Sequence, residues 1–297
     1  MKIALIYHND ADGIVSALVV KAAIQSQHFQ EADIKFVPFS YYSKPDPKDF
    51  DDCERVYAVD CSFGPEGLLY LKEKHGKGFV WIDHHKSAII AASSTGQTFT
   101  GLQSVDYAAC KLCWQYFYGV TKQAPLLVEA INKFDNWIQD EEWESFTYPL
   151  NLCVTTLFKD IDSVNIELLT ADDTIKQLVD SIGVHLFKYQ QDLREAESIF
   201  VEQRTLLFNK KHFPVLLINS TLPGDSTIEL VERKENFSSP VHLRYNIIGN
   251  KVDASVYTND DVEGFDCSEL AKQFGGGGHK KAAGFRCEKE EFDKLFL

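Results

Sequence analysis

Four short β-rich runs in the first 83 residues alternate with helical patterns. The runs are KIALIY (2–7), IKFVPF (34–39), RVYAVD (55–60) and GFVWID (78–83), and an apolar-periodic helix is predicted over about 13–27. Strands that alternate with helices predict βαβ units, in which helices cover both faces of a parallel sheet. Because ligands of such sheets bind beyond the carboxyl ends of the strands, the site is expected at that edge of an α/β domain.

The pattern changes twice in the rest of the chain. Residues from about 123 to 208 read as mostly helical, with a weak interruption at Gly183. After Pro214 strands return in FPVLLIN, VHLRYNIIG, KVDASVY and KAAGFRC, with a helix at CSELAKQF. We therefore expect a catalytic domain at 1–190, a linker helix over 191–210 and a smaller α+β domain over 211–297.

Charge and composition exclude several classes of partner. The formal net charge is −14 at pH 7, whereas proteins that wrap long duplex DNA usually have a strong basic bias. The apolar run Ile3–Tyr7 is too short for a signal peptide, and no stretch has transmembrane length. We expect a cytoplasmic protein that binds neither long duplex DNA nor a membrane. A homodimer is one candidate for its oligomeric state.

Two of the seven cysteines, Cys110 and Cys113, form a CxxC sequence. They fall in a segment that reads as a helix with Ser104 as its N-cap, which would place both thiols on one face. No second CxxC or HxxxH accompanies them in the sequence. We therefore interpret them as buried core residues rather than as zinc ligands.

Acidic and histidine side chains collect where the first predicted strand ends. In the sequence HNDADG, His8, Asp10 and Asp12 occupy alternate positions. Side chains at alternate positions of an extended backbone point to the same side. A helix cap would explain one aspartate, but not the whole series.

Later segments supply more residues of the same kind. Asp60 ends the third strand, Asp83 and His84 follow the fourth, and INKFDNW contributes Asp135. Each of these, taken alone, is typical of a cap or a turn. If the strands are neighbours in a parallel sheet, however, their ends meet at one edge.

The candidate metal ligands are therefore two imidazoles and four carboxylates: His8, His84, Asp10, Asp12, Asp60 and Asp135. Carboxylates gathered so closely raise one another's pKa values steeply unless cations are present. Mixed oxygen and imidazole ligation suits Mn²⁺, with Mg²⁺, Fe²⁺ or Co²⁺ as alternatives, and the lack of thiolates argues against structural zinc. Two divalent ions in one site favour displacement at phosphorus, so phosphoester hydrolysis is the expected reaction.

The C-terminal domain contains a second signal, FGGGGHKKAAGF at 274–285. Four glycines in a row can form a flexible linker, but this run lies between a predicted helix and a predicted strand. Glycine lets a backbone approach a ligand closely, and its N–H groups can bind phosphate. The candidate substrate-binding residues are Gly275, Gly276, Gly277, Gly278, His279 and Lys280. For the lysine, a solvated surface position is an equal alternative.

HNDADG, VDCS, IDHHK, FDNW and GGGGHKKAAGF together resemble the DHH phosphoesterase family. The last motif resembles the subgroup with a DHH-associated C-terminal domain, which includes the RecJ exonucleases and the nanoRNases. The resemblance spans nearly the whole chain. It implies an active site in the cleft between two domains, with the scissile phosphate held there.

The resemblance also implies residue roles. One metal ion would be held by His8, Asp10 and Asp60, and the other by Asp12, Asp60, His84 and Asp135, so that Asp60 bridges. His85 would face the substrate phosphate. Asp83, which would not itself bind metal, would orient one of the metal ligands. Mn²⁺ is the usual metal.

Departures from the family pattern concern the substrate. This sequence has no room for the additional domains of RecJ enzymes, and the spacing in HNDAD is shorter than is usual in nanoRNases. A Ser-x-Arg that often precedes the glycine run is here Ser255 and Tyr257, and Arg244 is a candidate substitute.

We expect hydrolysis of short oligonucleotides or nucleotide phosphates. The alternatives are a cyclic-dinucleotide phosphodiesterase, a RecJ-like single-strand exonuclease, and a nucleotide-binding regulator that does not catalyse.

Overall fold

The computed structural model describes residues 1–26, 32–40, 44–222, 224, 226–235, 238–258 and 261–297. The chain divides into two compact units, Met1–Phe187 and Lys188–Leu297. Within the described residues, no helix is long and apolar enough to cross a bilayer.

The N-terminal unit contains a four-stranded parallel sheet. Its strands are β1 (Lys2–His8), β2 (Asp33–Phe39), β3 (Arg55–Val59) and β4 (Phe79–Ile82), in the order β2-β1-β3-β4. This confirms the four predicted strands. The ends of β1, β3 and β4, which carry candidate residues, therefore lie at the same edge of the sheet.

Helices cover both faces of this sheet. The helices with buried side chains in the two cores are α1 (Ala11–Ser26), α2 (Gly64–His75), α3 (Lys86–Ser93), α4 (Ala109–Tyr118), α5 (Leu126–Asp135), α6 (Tyr148–Leu157) and α7 (Asp172–Leu178). Helix α8 (Val184–Glu197) follows them and continues into the C-terminal unit. Side chains of β1 alternate between two cores: Leu5 packs with α1, α4 and α5, whereas Ile6 packs with α2. Because both faces are apolar, the strands read as continuous hydrophobic runs.

Helix α1 is buried on all sides from Ala11 to Ile24. Its predicted start at 13 is two residues late, and its predicted end at Gln27 lies outside the described residues. Lys21 is a buried cation within this helix. Its ammonium group donates to the backbone carbonyls of Ile161, Asp162 and Val164 at 2.7–2.9 Å.

All seven cysteines are buried. Cys110 and Cys113 are residues of α4 and pack in the core that this helix shares with α1, as predicted. The predicted N-cap at Ser104 is wrong, since α4 begins at Ala109 and its N-cap position is Ala108.

The C-terminal unit is built on a six-stranded mixed sheet. Its strands are β5 (Glu202–Phe208), β6 (Lys211–Asn219), β7 (Val241–Ile248), β8 (Lys251–Tyr257), β9 (Gly277–Gly278) and β10 (Ala282–Glu288), in the order β5-β6-β7-β8-β10-β9. Only β6 and β7 pair in parallel among the described strands of this sheet. Helix α10 (Cys267–Lys272) packs on one face, α9 (Ser226–Glu235) packs on the other through Ile228, and α11 (Lys289–Asp293) follows β10.

The predicted linker helix over 191–210 is wrong beyond Glu197. A 3-10 turn at Ser198–Phe200 ends α8, and Glu202–Phe208 forms β5. The residues of β5 include good helix formers, Glu, Gln, Arg and Leu, so propensity alone favours a helix there. Pairing along the whole length of β5 with β6 decides in favour of the strand.

Candidate metal centre

The predicted ligands come from five places that the fold brings to one edge of the sheet. His8 is the last residue of β1, Asp60 directly follows β3, and Asp135 is the last residue of α5. Asp10 and Asp12 flank the first residue of α1. Gly13 allows this close packing, because a Cβ atom there would lie 2.0 Å from the carbonyl oxygen of His8.

His84 faces three carboxylates with one ring nitrogen. Its Nε2 atom lies 3.3 Å from Asp60 Oδ1, 3.3 Å from Asp135 Oδ2 and 3.7 Å from Asp12 Oδ2. An imidazole nitrogen carries at most one proton, which cannot satisfy three acceptors. The arrangement has the geometry of a cation site in which all four side chains turn toward one point.

His8 and Asp10 form a second group beside the first. His8 Nδ1 lies 2.7 Å from Asp10 Oδ2 and 3.6 Å from Asp60 Oδ2. The ligand atoms of these three residues all lie within 4.8 Å of one another, as do those of Asp12, His84 and Asp135. Asp60 directs one oxygen toward each group and is therefore their common member.

Asp60 holds this central position with a strained backbone. Its φ angle is +57°, a left-handed conformation that is uncommon for residues other than glycine. The side chain is 1% exposed, and the backbone N–H donates to the carbonyl of Ile82 at 2.9 Å. Strain of this kind costs roughly 1–3 kcal/mol and persists where the surrounding structure enforces it, often at functional sites.

Asp12 is held by the start of helix α4. Its two oxygens accept hydrogen bonds from the backbone N–H groups of Ala109 at 2.7 Å and Cys110 at 2.8 Å. The carboxylate thus caps α4, whose own N-cap residue, Ala108, offers no side-chain acceptor. This explains why the predicted cap at Ser104 is wrong. The true cap comes from 97 residues earlier in the chain.

Asn132 is a contributor that the sequence reading missed. Its Oδ1 atom accepts from the backbone N–H of Ala108 at 3.0 Å, so α5 fixes the start of α4, which in turn fixes Asp12. No local signal points to this link, because Ser104 and Asp106 both offer capping side chains in the sequence before α4.

Asp83 organises the two histidines that follow it. Its Oδ1 atom accepts from the backbone N–H groups of His84 and His85, at 2.8 and 3.1 Å, and lies 2.8 Å from His85 Nδ1. Burial opposes the charged form of His85, but the hydrogen bond with Asp83 outweighs it and raises the pKa of His85 to about 9. The Nδ1 proton is therefore committed to Asp83, which leaves Nε2–H as the second donor of the ring.

Three of the acids resist ionisation. Burial and the charge of Asp60 raise the pKa of Asp12 to about 7, and burial and the charge of Asp12 raise that of Asp135 to about 7. Burial also raises the pKa of Asp60. The pKa of Asp10 is instead lowered, because its contact with His8 outweighs burial.

The histidines show the complementary effect. Burial opposes their charged forms, yet Asp10 and Asp60 raise the pKa of His8 to about 11, and Asp60 and Asp135 raise that of His84 to about 10. These shifts have one cause, an excess of carboxylate over positive charge.

The donor set fits divalent cations. The cluster contains five carboxylates, including Asp83, and three imidazoles. Two negative charges would remain even if every histidine were protonated and every carboxyl ionised. Oxygen and imidazole donors without thiolates are those preferred by Mn²⁺ and Mg²⁺ over soft metals.

The glycine run lies in the C-terminal unit. Gly275 has a φ of +74° at the end of α10, and the N–H of Gly276 donates to the carbonyl of Ala271 at 2.9 Å. A Cβ atom at Gly276 would lie 2.2 Å from the carbonyl oxygen of Gly284, whereas one at Gly277 would meet open space. Close packing therefore explains Gly276 and a left-handed backbone explains Gly275, whereas neither constraint applies to Gly277.

The polar residues after the run are placed as follows. The N–H of His279 donates to Ala282 O at 2.7 Å in the turn before β10, and Lys280 Nζ lies 2.7 Å from Asp261 Oδ1 on the surface. Arg244 on β7 donates to Ser255 Oγ at 3.2 Å. Substrate binding by these residues stays a prediction.

Comparison with known proteins decides the family. The DHH family, N-terminal domain, matches residues 2–140, which include every residue of the acidic cluster. The N-terminal part of the chain is a DHH-family domain.

Some known proteins are similar to this chain over nearly its whole length. Oligoribonuclease NrnB of Bacillus subtilis (strain 168) is 23% identical over 322 aligned positions, covering 98% of this chain and 74% of the relative. A solved DHH domain, described as belonging to a family of ribosomal proteins, is 15% identical with a TM-score of 0.65, covering 99% of this chain and 84% of that one. RecJ of Thermus thermophilus, solved in complex with Mn²⁺, is 17% identical with a TM-score of 0.56, covering 99% and 50%. These structural likenesses show a shared fold.

Proposed function

We propose that this protein is a metal-dependent phosphodiesterase or phosphatase that hydrolyses short oligonucleotides or nucleotide phosphates with two divalent ions. The observation that carries the proposal is the position of Asp60, whose two oxygens face the imidazoles of His8 and His84 at 3.6 and 3.3 Å. A shared carboxylate between two ligand groups is what a pair of ions requires.

His8, Asp10 and Asp60 would hold one ion, and Asp12, Asp60, His84 and Asp135 would hold the other. Two of the geometric groups, His8 with Asp10 and Asp60, and Asp12 with His84 and Asp135, support this division, and Asp60 Oδ1 lies 3.3 Å from His84 Nε2 in the second group. Bound ions of this kind polarise a phosphoryl oxygen and supply a water nucleophile at neutral pH. Mn²⁺ is the metal we favour, since RecJ of Thermus thermophilus was solved with it.

His85 would act on the substrate directly. Its Nδ1 atom lies 2.8 Å from Asp83 Oδ1, and the other ring nitrogen, Nε2, would donate to a phosphate oxygen or to the leaving oxygen. Against the effect of burial, the hydrogen bond with Asp83 raises the pKa of His85 in the metal-free chain and orients its ring for donation. Asp83 would serve as the positioning residue that holds this ring and the His84 backbone.

The net charge of the protein and the name of one of its relatives both favour short substrates. With a net charge of −14, the protein lacks the basic bias that long nucleic acids require, and the relative NrnB is named an oligoribonuclease. The complete ligand set disfavours a regulator that binds nucleotides without hydrolysing them.

The test is a Mn²⁺-dependent hydrolysis assay on dinucleotides, longer oligomers, cyclic dinucleotides and 3′-phosphoadenosine phosphate. Asp60→Asn keeps the side-chain shape, and asparagine tolerates the left-handed backbone, so the variant should fold and lose turnover. Asp180→Ala, at an exposed position of the same unit, is the matched control and should retain full activity. Unchanged turnover in Asp60→Asn would refute the proposal, as would nucleotide binding without hydrolysis by the wild type.

A further inference from the structure

Trp137 combines two features that are unusual for its residue type. The side chain is 47% exposed, and the backbone has a φ of +56°. A bulky residue other than glycine rarely adopts the left-handed region. Trp137 directly follows the C-terminal cap of α5, where a left-handed residue is common and is usually glycine, so an exposed tryptophan there is the feature that requires an explanation.

The surroundings fix the ring from one side. The N–H of Trp137 donates to Phe134 O at 3.1 Å, and that of Ile138 donates to Lys133 O at 2.9 Å. The ring packs against Trp143 with centroids 5.2 Å apart and planes at 70°, and Trp143 stacks on Phe134 at 5.3 Å and 4°. A stacked aromatic pair therefore supports Trp137 while much of its own surface stays open.

The location links this ring to the metal centre. Trp137 follows Asp135 by two residues, so their Cα atoms lie within about 7 Å of each other. Asp135 Oδ2 in turn lies 3.3 Å from His84 Nε2, inside the acidic cluster. The backbone of Trp137 therefore lies within reach of a nucleotide whose phosphate is bound at that cluster.

The acidic side chains near Trp137 favour a neutral ligand group over an anionic one at the ring. The segment that follows contains Asp140, Glu141, Glu142 and Glu144, and Lys133 is engaged with Asp140 at 2.6 Å and with Glu142 at 3.4 Å. A phosphate chain along this segment would be repelled, whereas a nucleobase carries no charge and presents a π-face.

We propose that Trp137 is a stacking platform for the base of the nucleotide whose phosphate is cleaved. The inference rests on the proposed function, which supplies the phosphate at the neighbouring cluster. Stacking of bases on aromatic side chains is tolerant of base identity, so the platform would give affinity for nucleotides without strong sequence preference.

The test compares Trp137→Leu and Trp137→Phe on a dinucleotide and on its two abasic analogues, each lacking one base. Trp137→Leu should raise KM for the dinucleotide by roughly 5- to 150-fold, while Trp137→Phe should retain most of the affinity. For one abasic analogue, Trp137→Leu and the wild type should have the same KM. Ile138→Ala, which removes the neighbouring exposed apolar side chain without touching the ring, is the matched control and should behave as wild type.

Two results distinguish a failure of the stacking role of Trp137 from a failure of the proposed hydrolase function. If the wild type cleaves dinucleotides and Trp137→Leu affects the dinucleotide and both abasic analogues equally, or affects none of them, the stacking role is wrong and the hydrolase stands. If the wild type cleaves nothing, the proposed function is wrong, and dinucleotide binding followed by tryptophan fluorescence decides the stacking role. Quenching that disappears in Trp137→Phe supports it, and quenching that is absent from the wild type overturns it.

Discussion

Replacing Asp12 with asparagine should stabilise the metal-free protein at alkaline pH while removing its response to Mn²⁺. Asp12 is 2% exposed, and burial together with the charge of Asp60 raises its pKa from 3.8 to about 7. Ionisation of this carboxyl therefore lowers the free energy of unfolding. The penalty is absent below about pH 3.8, grows as the pH rises, and is complete above about pH 7.

The magnitude follows from the pKa shift and two hydrogen bonds. At one pKa unit per about 1.36 kcal/mol, ionised Asp12 costs the folded chain roughly 4 kcal/mol at pH 8. Asparagine removes that cost, but its amide group faces one of the two N–H donors at Ala109 and Cys110, which loses about 1–3 kcal/mol at any pH. The effect of Asp12→Asn on unfolding free energy should thus become roughly 2–3 kcal/mol more favourable between pH 5 and pH 8.

The assay is urea unfolding of the chelator-treated protein at both pH values, followed by thermal unfolding with and without Mn²⁺. Asp10→Asn, the same chemical change two residues away, is the control. It should destabilise the protein at pH 8, because the pKa of Asp10 is lowered rather than raised in the folded chain. The reasoning is refuted if Asp12→Asn is equally destabilising at pH 5 and pH 8, or if Mn²⁺ raises its melting temperature as much as it raises that of the wild type.

Two further predictions concern metal uptake and the core. Because His8 and His84 have pKa values raised to about 11 and about 10 without metal, both must lose a proton to ligate, so Mn²⁺ affinity should rise with pH by about tenfold per unit for each proton released. Calorimetry in buffers of different ionisation enthalpy would show this, and a pH-independent affinity would contradict it. Lys21→Met should lower the free energy of unfolding by about 2–4 kcal/mol, since three backbone carbonyls within Ile161–Val164 lose a charged donor. Urea unfolding measures the loss, and a change below about 0.5 kcal/mol would show that the lysine is dispensable.

The parts of the fold that could be predicted are those that local pattern determines. The four parallel strands were predictable because each is a short β-rich apolar run, and the ends of three of them carry the acidic cluster. The assembly of His8, Asp60 and His84 follows from the parallel order of neighbouring strands.

The parts that could not be predicted depend on contacts between distant segments. Strand β5 is locally a good helix, and only its pairing with β6 makes it a strand. The cap of α4 is Asp12, which no pattern near Ala108 reveals.

The complete burial of α1 has a consequence for how proteins of this kind can diversify. Asp12 sits on a helix with no solvent-facing side between Ala11 and Ile24, so a change in its position would disturb the core of the N-terminal unit. Asp10 and Asp135, with side chains 43% and 26% exposed, lie on the open side of the same cluster and can shift without repacking a core. Mutations that retune metal or substrate preference should therefore accumulate around Asp10 and Asp135, while α1 stays nearly invariant during laboratory evolution.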